Sequence, residues 1–318
     1  MIYLITGVAG FVGGHYLEYL FAERPDAFIA GTDIEEPQLD FLKSPSRRKL
    51  KFYRGSLLDR DWVPDLIKKT RPDYIVNLAS YSSVAYSWEN PVTCFVNNTN
   101  IFLNLIEAAR KAKLEAKILS VGSSEEYGIA EAKDLPLTEK SPLNPVNPYA
   151  VARVAEEDLS KVYSAGYGMR IIRTRSFNHI GPRQKDIFAV SSFARQVAEA
   201  AKGKRDRIVC GNLDVVRDFI DVRDVIRAYD LLLEKGALGG VYNVSSGEGH
   251  KLSEILEMLR GKAHTDVPVK TEQSLMRPVE NPMVIGSSKK LQKHVGFKRK
   301  YDLSRSLDDI LEYWKSKI

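Results

Sequence analysis

A chain of 318 residues with 44% hydrophobic content can bury a substantial core, which excludes a disordered protein and favours one large domain or two closely joined ones. Its 47 lysines and arginines stand among 41 acidic residues, so the formal net charge of +6 is spread thinly and suggests anionic ligands only weakly. The densest basic run, SSKKLQKHVGFKRKYD, lacks the interleaved aromatics and groove-reading motif of a nucleic-acid binder and reads as a solvated face, so no nucleic-acid partner is expected.

The first predicted element is the strand MIYLIT, which has no basic leader and is too short for a signal peptide or membrane span, so a cytoplasmic protein without membrane contact is expected. It runs into GVAGFVGG and then the helix FVGGHYLEYLFAE. Gly7, Gly10 and Gly13 thus follow a strand and open a helix in the order that dinucleotide binding requires. The first permits a tight turn, the second lets backbone approach a pyrophosphate, and the third packs helix on strand. The phosphates sit at the helix N-terminus, over Gly10, Phe11, Val12 and Gly13.

The second strand, AFIAGT, ends at Asp33, about twenty residues beyond Gly13. A carboxylate there accepts from both hydroxyls of an adenosine ribose and repels a 2'-phosphate, which predicts NAD(H) over NADP(H); the alternative is an aspartate that only caps a turn. Further strands follow at DYIVNLAS, AKILSVGSS and MRIIRTRSF, with helical patterns between them, one through NIFLNLIEAARKA. Strands apolar on both faces and separated by helices predict an α/β fold, a doubly wound Rossmann sheet of parallel strands with a smaller C-terminal substrate-binding domain. The expected division is 1–178 and 214–246 for the dinucleotide-binding domain and 179–213 and 247–318 for the substrate domain. Cys94 and Cys210 are far apart and lack C-x-x-C spacing, so neither a disulfide framework nor a metal site is expected.

The stretch NPYAVARVAEE places Tyr149 and Arg153 one helical turn apart on one face. Tyrosine ionises at about pH 10, so its use as an acid or base near neutrality requires a neighbouring positive charge. Arginine meets that electrostatic need, but its planar fork cannot copy the compactness of lysine. An ordinary surface pair has the same spacing.

GVAGFVG, NLAS at 77–80, SVGSSEEYG at 120–128 and the Tyr149 helix together resemble the extended short-chain dehydrogenase/reductase family, also called the NAD-dependent epimerase/dehydratase family, over essentially the full chain. That family pairs its tyrosine with lysine, so Arg153 departs from it, as does Ser56 where an aspartate usually contacts adenine. The resemblance implies a nicotinamide enzyme with Tyr149, Arg153 and Ser123 as catalytic residues and Glu125 as a further acid or base, or else a structural anchor. Ser123 matches the hydroxyl that steadies the reacting sugar oxygen, whose developing charge calls for a donor. It also implies cofactor contacts from Leu78, Ala79, Ser80 and Asn98, and a homodimer built from the Asn98–Lys113 segment and the Tyr149 helix.

RTRSFNHIGPRQ, GNLDVVRDFIDVRD and RPVENPMVIGS resemble the branch acting on GDP-mannose and its derivatives. There the Asn178 position holds the nucleotide sugar with Ser124, the Arg217 and Arg277 positions neutralise its diphosphate, and the Glu280 position contacts guanosine. Guanidinium forks suit phosphate oxygens, and a carboxylate suits ribose hydroxyls or a guanine edge. His179 reads as a structural histidine. The implied reaction is reduction of the carbon 4 ketone of a GDP-4-keto-6-deoxy-mannose to GDP-rhamnose, favoured by the compact length, by serine in SSEEYG and by the short FNHIGPRQ loop. The alternatives are GDP-mannose 4,6-dehydration, for which Glu125 supplies a carboxyl group, another nucleotide-sugar epimerase or dehydratase, and a non-catalytic NAD-binding sensor.

Overall fold

The computed structural model describes residues 1–42 and 49–318. The expected apolar runs form β1 (Ile2–Thr6), β2 (Phe28–Asp33), β4 (Tyr74–Asn77), β5 (Lys117–Ser123) and β6 (Ile171–Ser176) of the main sheet, which β3 (Leu50–Arg54) and, late in the chain, β10 (Val241–Val244) complete. Between β6 and β10 lie β7 (Asn178–Ile180), β8 (Ile208–Cys210) and β9 (Val216–Asp221); after β10 come β11 (Gly249–Lys251), β12 (Val269–Thr271) and β13 (Met283–Val284). The main sheet is seven-stranded, in the order β10-β6-β5-β4-β1-β2-β3, and every neighbouring pair is parallel. This is the doubly wound Rossmann sheet that the sequence predicts.

Helices cover both faces, which is why strands such as β1 (IYLIT) and β4 (YIVN) carry apolar runs with no alternation. One face packs α1 (Phe11–Glu23) through Tyr16, Leu17 and Leu20. The other packs α2 (Trp62–Thr70), α4 (Pro91–Lys111) and α5 (Pro148–Tyr167), with Phe102, Leu105 and Ile106 of α4 fully enclosed. The short α3 (Val84–Glu89) precedes α4. The winding direction reverses between β1 and β4, and in such sheets the crevice at that reversal, beyond the carboxyl ends of the strands, is where ligands bind.

A second core gathers α6 (Ala189–Ala201), α8 (Leu252–Ala263) and α10 (Leu303–Lys317) around Val197, Ile255 and Ile310. The division between the two lobes departs from the expected boundaries at two places. β9 does not join the main sheet but lies between β11 and β13 and also pairs with β7, so the chain returns to the first lobe at α7 (Val222–Lys235), not at residue 214. The segment after 247 in turn gives back α9 (Lys289–Val295), whose Leu291 and Val295 pack with Phe297 among Tyr229 and Tyr242 in the core of the main sheet. Both shifts follow from side chains meeting across long sequence separations.

Candidate active site

β1 delivers the glycine turn to the crevice. Gly7 has φ +68°, and a Cβ there would lie 2.7 Å from the Ala79 nitrogen; a Cβ on Gly13 would lie 2.6 Å from the Gly7 oxygen. Only glycine fits both places. Helix α1 begins at Gly10 with no side-chain cap and no acidic residue in its first turn, so its unpaired N–H groups and positive dipole end stay open for an anion. This cradle fits the diphosphate of a dinucleotide.

The end of β4 is held against that turn. Thr6 donates its hydroxyl to Asn77 Oδ1 at 2.9 Å and accepts from the Leu78 and Ala79 nitrogens, both at 3.2 Å. Leu78 and Ser80 then line a cavity of about 360 Å³ together with Gly7, Gly10, Phe11, Val12 and Gly13. Its far side carries Ser123, Ser124, Glu125, Tyr149, Arg153, Asn178, Arg217, Arg277 and Glu280, so the two ends predicted from separate stretches of sequence share one cleft.

Three predicted residues stay off the cavity wall. Ala79 meets Gly7 from behind. Asn98 is buried and clamps Tyr81, accepting from its nitrogen at 2.9 Å and donating to its oxygen at 3.0 Å, which fixes the loop that carries Ser80. Asp33 accepts from Ala9 N at 3.0 Å and from Ile34 N at 2.8 Å, so it caps the turn; its remaining lone pairs stay available to a ribose. Ser56 caps its own turn by accepting from Leu58 N at 3.2 Å.

The Tyr149 helix starts where the sequence predicts. Asn147 Oδ1 accepts from Ala150 N at 2.8 Å, and Pro148 occupies the first helical position. Tyr149 is 6% and Arg153 5% exposed, which excludes the ordinary surface pair. Arg153 Nε donates to the Tyr149 hydroxyl at 3.2 Å, Nη1 to Val121 O at 2.9 Å and to Glu156 Oε2 at 2.7 Å, and Nη2 to Ser80 Oγ. A guanidinium has five N–H groups, so a single one, on Nη2, is without a protein partner among the described residues, and it lies on the cavity side with Ser80. Burial opposes the charge on Arg153, but Tyr149 and Glu156 outweigh it and raise its pKa.

Two residues that carry this arrangement escaped the sequence reading. Glu156 is 1% exposed and spans Arg153 on one oxygen and Asn77 Nδ2, at 3.1 Å, and Ser120 Oγ, at 3.3 Å, on the other. Burial raises its pKa against the pull of Arg153, Asn77 and Ser120. Asn77, quoted only as part of NLAS, ties that carboxylate back to Thr6 and the glycine turn. The i,i+3 spacing of Arg153 and Glu156 was the available signal.

Ser123 Oγ accepts from Glu125 N at 3.2 Å, leaving its proton free to donate into the cavity. Glu125 Oε2 accepts from Asn147 Nδ2 at 2.8 Å. At the other end Asn178 donates to Asp218 O at 3.3 Å, and Glu280 lies 3.8 Å from Arg217 while accepting from Asn212 at 3.2 Å. Arg217 is buried and Arg277 exposed. Burial lowers the pKa of Arg217 and Arg277 pushes the same way, against Glu125 and Glu280, so an anion here relieves two guanidinium groups at once. His179 stands edge-on to Tyr229 with ring centroids 6.4 Å apart; burial pushes it down to about 4 and its Nε2 has no partner among the described residues. No group of three or more metal-ligating side chains gathers among the described residues, and no helix there is long and apolar enough to cross a membrane.

The family model described as GDP-mannose 4,6 dehydratase matches residues 4–310. A GDP-6-deoxy-D-mannose reductase of Pseudomonas aeruginosa is 34% identical over 99% of this chain and 97% of its own. Among solved structures, RMD from Pseudomonas aeruginosa complexed with NADPH superimposes with a TM-score of 0.87 at 34% identity, covering 100% of this chain and 99% of that one. The UDP-glucose 4-epimerase of Thermus thermophilus in complex with NAD gives a TM-score of 0.87 at 29% identity, with full coverage of both chains at 100%.

Proposed function

The chain belongs to the GDP-mannose 4,6-dehydratase family of extended short-chain dehydrogenases/reductases, and from that membership and the geometry of the site we propose that it reduces the carbon 4 ketone of GDP-4-keto-6-deoxy-mannose to GDP-rhamnose. The observation that carries this reading is the buried Tyr149 hydroxyl, held at 3.2 Å by Arg153 on the wall of a cleft that opens at the other end on the glycine turn. When bound, the nicotinamide supplies the hydride. The Tyr149 hydroxyl gives its proton to the oxygen developing at carbon 4, and Ser123 donates a hydrogen bond to the same oxygen. Arg153 holds Tyr149 in place and offers its remaining N–H to the nicotinamide ribose. Arg217 and Arg277 take the diphosphate, with Asn178 and Ser124 on the sugar and Glu280 on the guanosine side.

NADH is the proposed reductant. The carboxylate of Asp33 at the end of β2 supports it by repelling a 2'-phosphate, although the similar Pseudomonas aeruginosa structure holds NADPH. A homodimer is supported by the outward faces of the packed pair α4 and α5, where Val92, Phe95, Val96, Val151 and Val162 are exposed. The free, buried thiols of Cys94 and Cys210 accord with a cytoplasmic setting.

Glu125 on the cavity wall supports a second reading, 4,6-dehydration of GDP-mannose, which needs a carboxyl group near carbon 5. Incubation with the 4-keto sugar and NADH, and separately with GDP-mannose and NAD, separates the two. Loss of absorbance at the reduced-nicotinamide band in the first mixture supports the reductase, and dehydrated sugar in the second supports the dehydratase. Silence in both leaves a cofactor-binding sensor.

A further inference from the structure

A guanidinium beside the active-site tyrosine poses a problem that its own geometry answers. Free arginine is long and forked, and in a buried position an uncompensated charge carries a heavy desolvation cost. Here the fork is pinned at four points, and the one carboxylate among them, Glu156, is itself fixed from two strands by Asn77 on β4 and Ser120 on β5. The other titratable groups that feel the guanidinium from neighbouring elements are Cys94 on α4 and Tyr229 on α7. Burial raises the pKa of both. Glu156, 2.7 Å from Nη1, is therefore the carboxylate paired with Arg153, while Tyr149 takes Nε.

We propose that Glu156 is a positioning residue that locks the Arg153 fork onto Tyr149 and Ser80 and cancels part of its charge, so that the tyrosine enters the reaction with the proton still on its hydroxyl. This rests on the reductase reading, since a ketone reduction needs a proton donor at the start of the reaction whereas an alcohol oxidation needs an acceptor. Without the carboxylate, the full positive charge would favour the phenolate and the fork would be free to turn away from Ser80.

The test is Glu156→Gln, with two readouts. The first uses ligand-free protein and needs neither substrate nor cofactor: the ultraviolet phenolate band of Tyr149, obtained by subtracting the matching Tyr149→Phe spectra, is titrated in the wild type and in E156Q. The midpoint in E156Q is expected at lower pH. The second is the pH profile of keto-sugar reduction, whose high-pH limb is expected to fall earlier in E156Q, with turnover at neutral pH down about tenfold. Glu156→Asp, which keeps the charge but withdraws it from the fork, is expected to shift both readouts the same way by less, and serves if E156Q does not fold. Superimposable Tyr149 titrations, or a rate loss equal at every pH, would make Glu156 a structural residue and overturn the proposal. A wild type that leaves the keto sugar untouched sinks the substrate reading alone, because the phenolate titration still reports on Glu156.

Discussion

Arg217 lies buried 3.8 Å from Glu280, a separation that leaves its charge incompletely matched. Burial disfavours that charge, Glu125 supports it, and the nearby Arg277 opposes it. A buried guanidinium without a close ion pair is costly until an anion approaches it.

Arg217→Met is therefore expected to leave thermal stability unchanged or raise it, while KM for the nucleotide sugar rises about tenfold to a hundredfold, the loss of one or two charged hydrogen bonds. Turnover at saturation should change less. Calorimetry and steady-state kinetics on the same preparation check both; a destabilised variant with normal KM would mean that the guanidinium serves the fold.

Arg153→Lys tests whether the site is built around a fork. If arginine were a partial substitute for lysine, this change would preserve or raise activity. The structure favours the opposite outcome, because an ammonium has three donors and the guanidinium serves Tyr149, Val121, Ser80 and Glu156 at once. We expect turnover to fall about tenfold or more, roughly the scale on which misplacing a proton donor acts. A fully active lysine variant would show that only the charge matters.

Asp33→Asn keeps an oxygen for Ala9 N and removes the charge proposed to repel a 2'-phosphate. The ratio of kcat/KM for NADH over NADPH is expected to fall about tenfold, as like-charge repulsion of one or two kcal/mol is relieved. A wild type that strongly prefers NADPH would defeat the assignment before any mutation is made.

His179 makes a prediction about stability. Its imidazole is pushed down to about 4 in the fold. In the unfolded chain it titrates at about 6.5. The unfolded state therefore takes up the proton first on acidification, so the contribution of this group is fully present above about pH 6.5 and is lost as pH falls toward 4, at most about 3 kcal/mol. Denaturant unfolding at intervals across that window should show a shallower decline in His179→Gln than in the wild type. Parallel curves would remove His179 from the pH dependence.

What could be read from the chain alone was local. The glycine turn, the Asn147-Pro148 helix start and the Tyr149–Arg153 pair each lie within a few residues, and fixed φ values, caps and the 3.6-residue repeat act at that range. Glu156 lies as close to Arg153, yet its role was hidden. Glu156 and Glu157 look interchangeable on paper, but the former turns to Arg153 and the latter to Arg175, at 2.8 Å, as tertiary packing dictates. Its other partners, Asn77 and Ser120, lie 79 and 36 residues away. Long-range pairing likewise moved the lobe boundaries, since the apolar runs of β9 and α9 carry no mark of which core they join. At Asp33 the turn cap is what the fold displays, with lone pairs to spare.

Tyr149 is proposed to protonate a carbonyl oxygen while hydride reaches carbon 4 of a GDP-linked sugar. Deuterium-labelled NADH given to the protein with GDP-4-keto-6-deoxy-mannose tests it most directly. One deuterium is expected at carbon 4 of a GDP-rhamnose product, formed in step with cofactor consumed and at least about a hundredfold more slowly by Tyr149→Phe. Dehydration of GDP-mannose with no net cofactor consumed, or a Tyr149→Phe variant within about tenfold of the wild type, would contradict it.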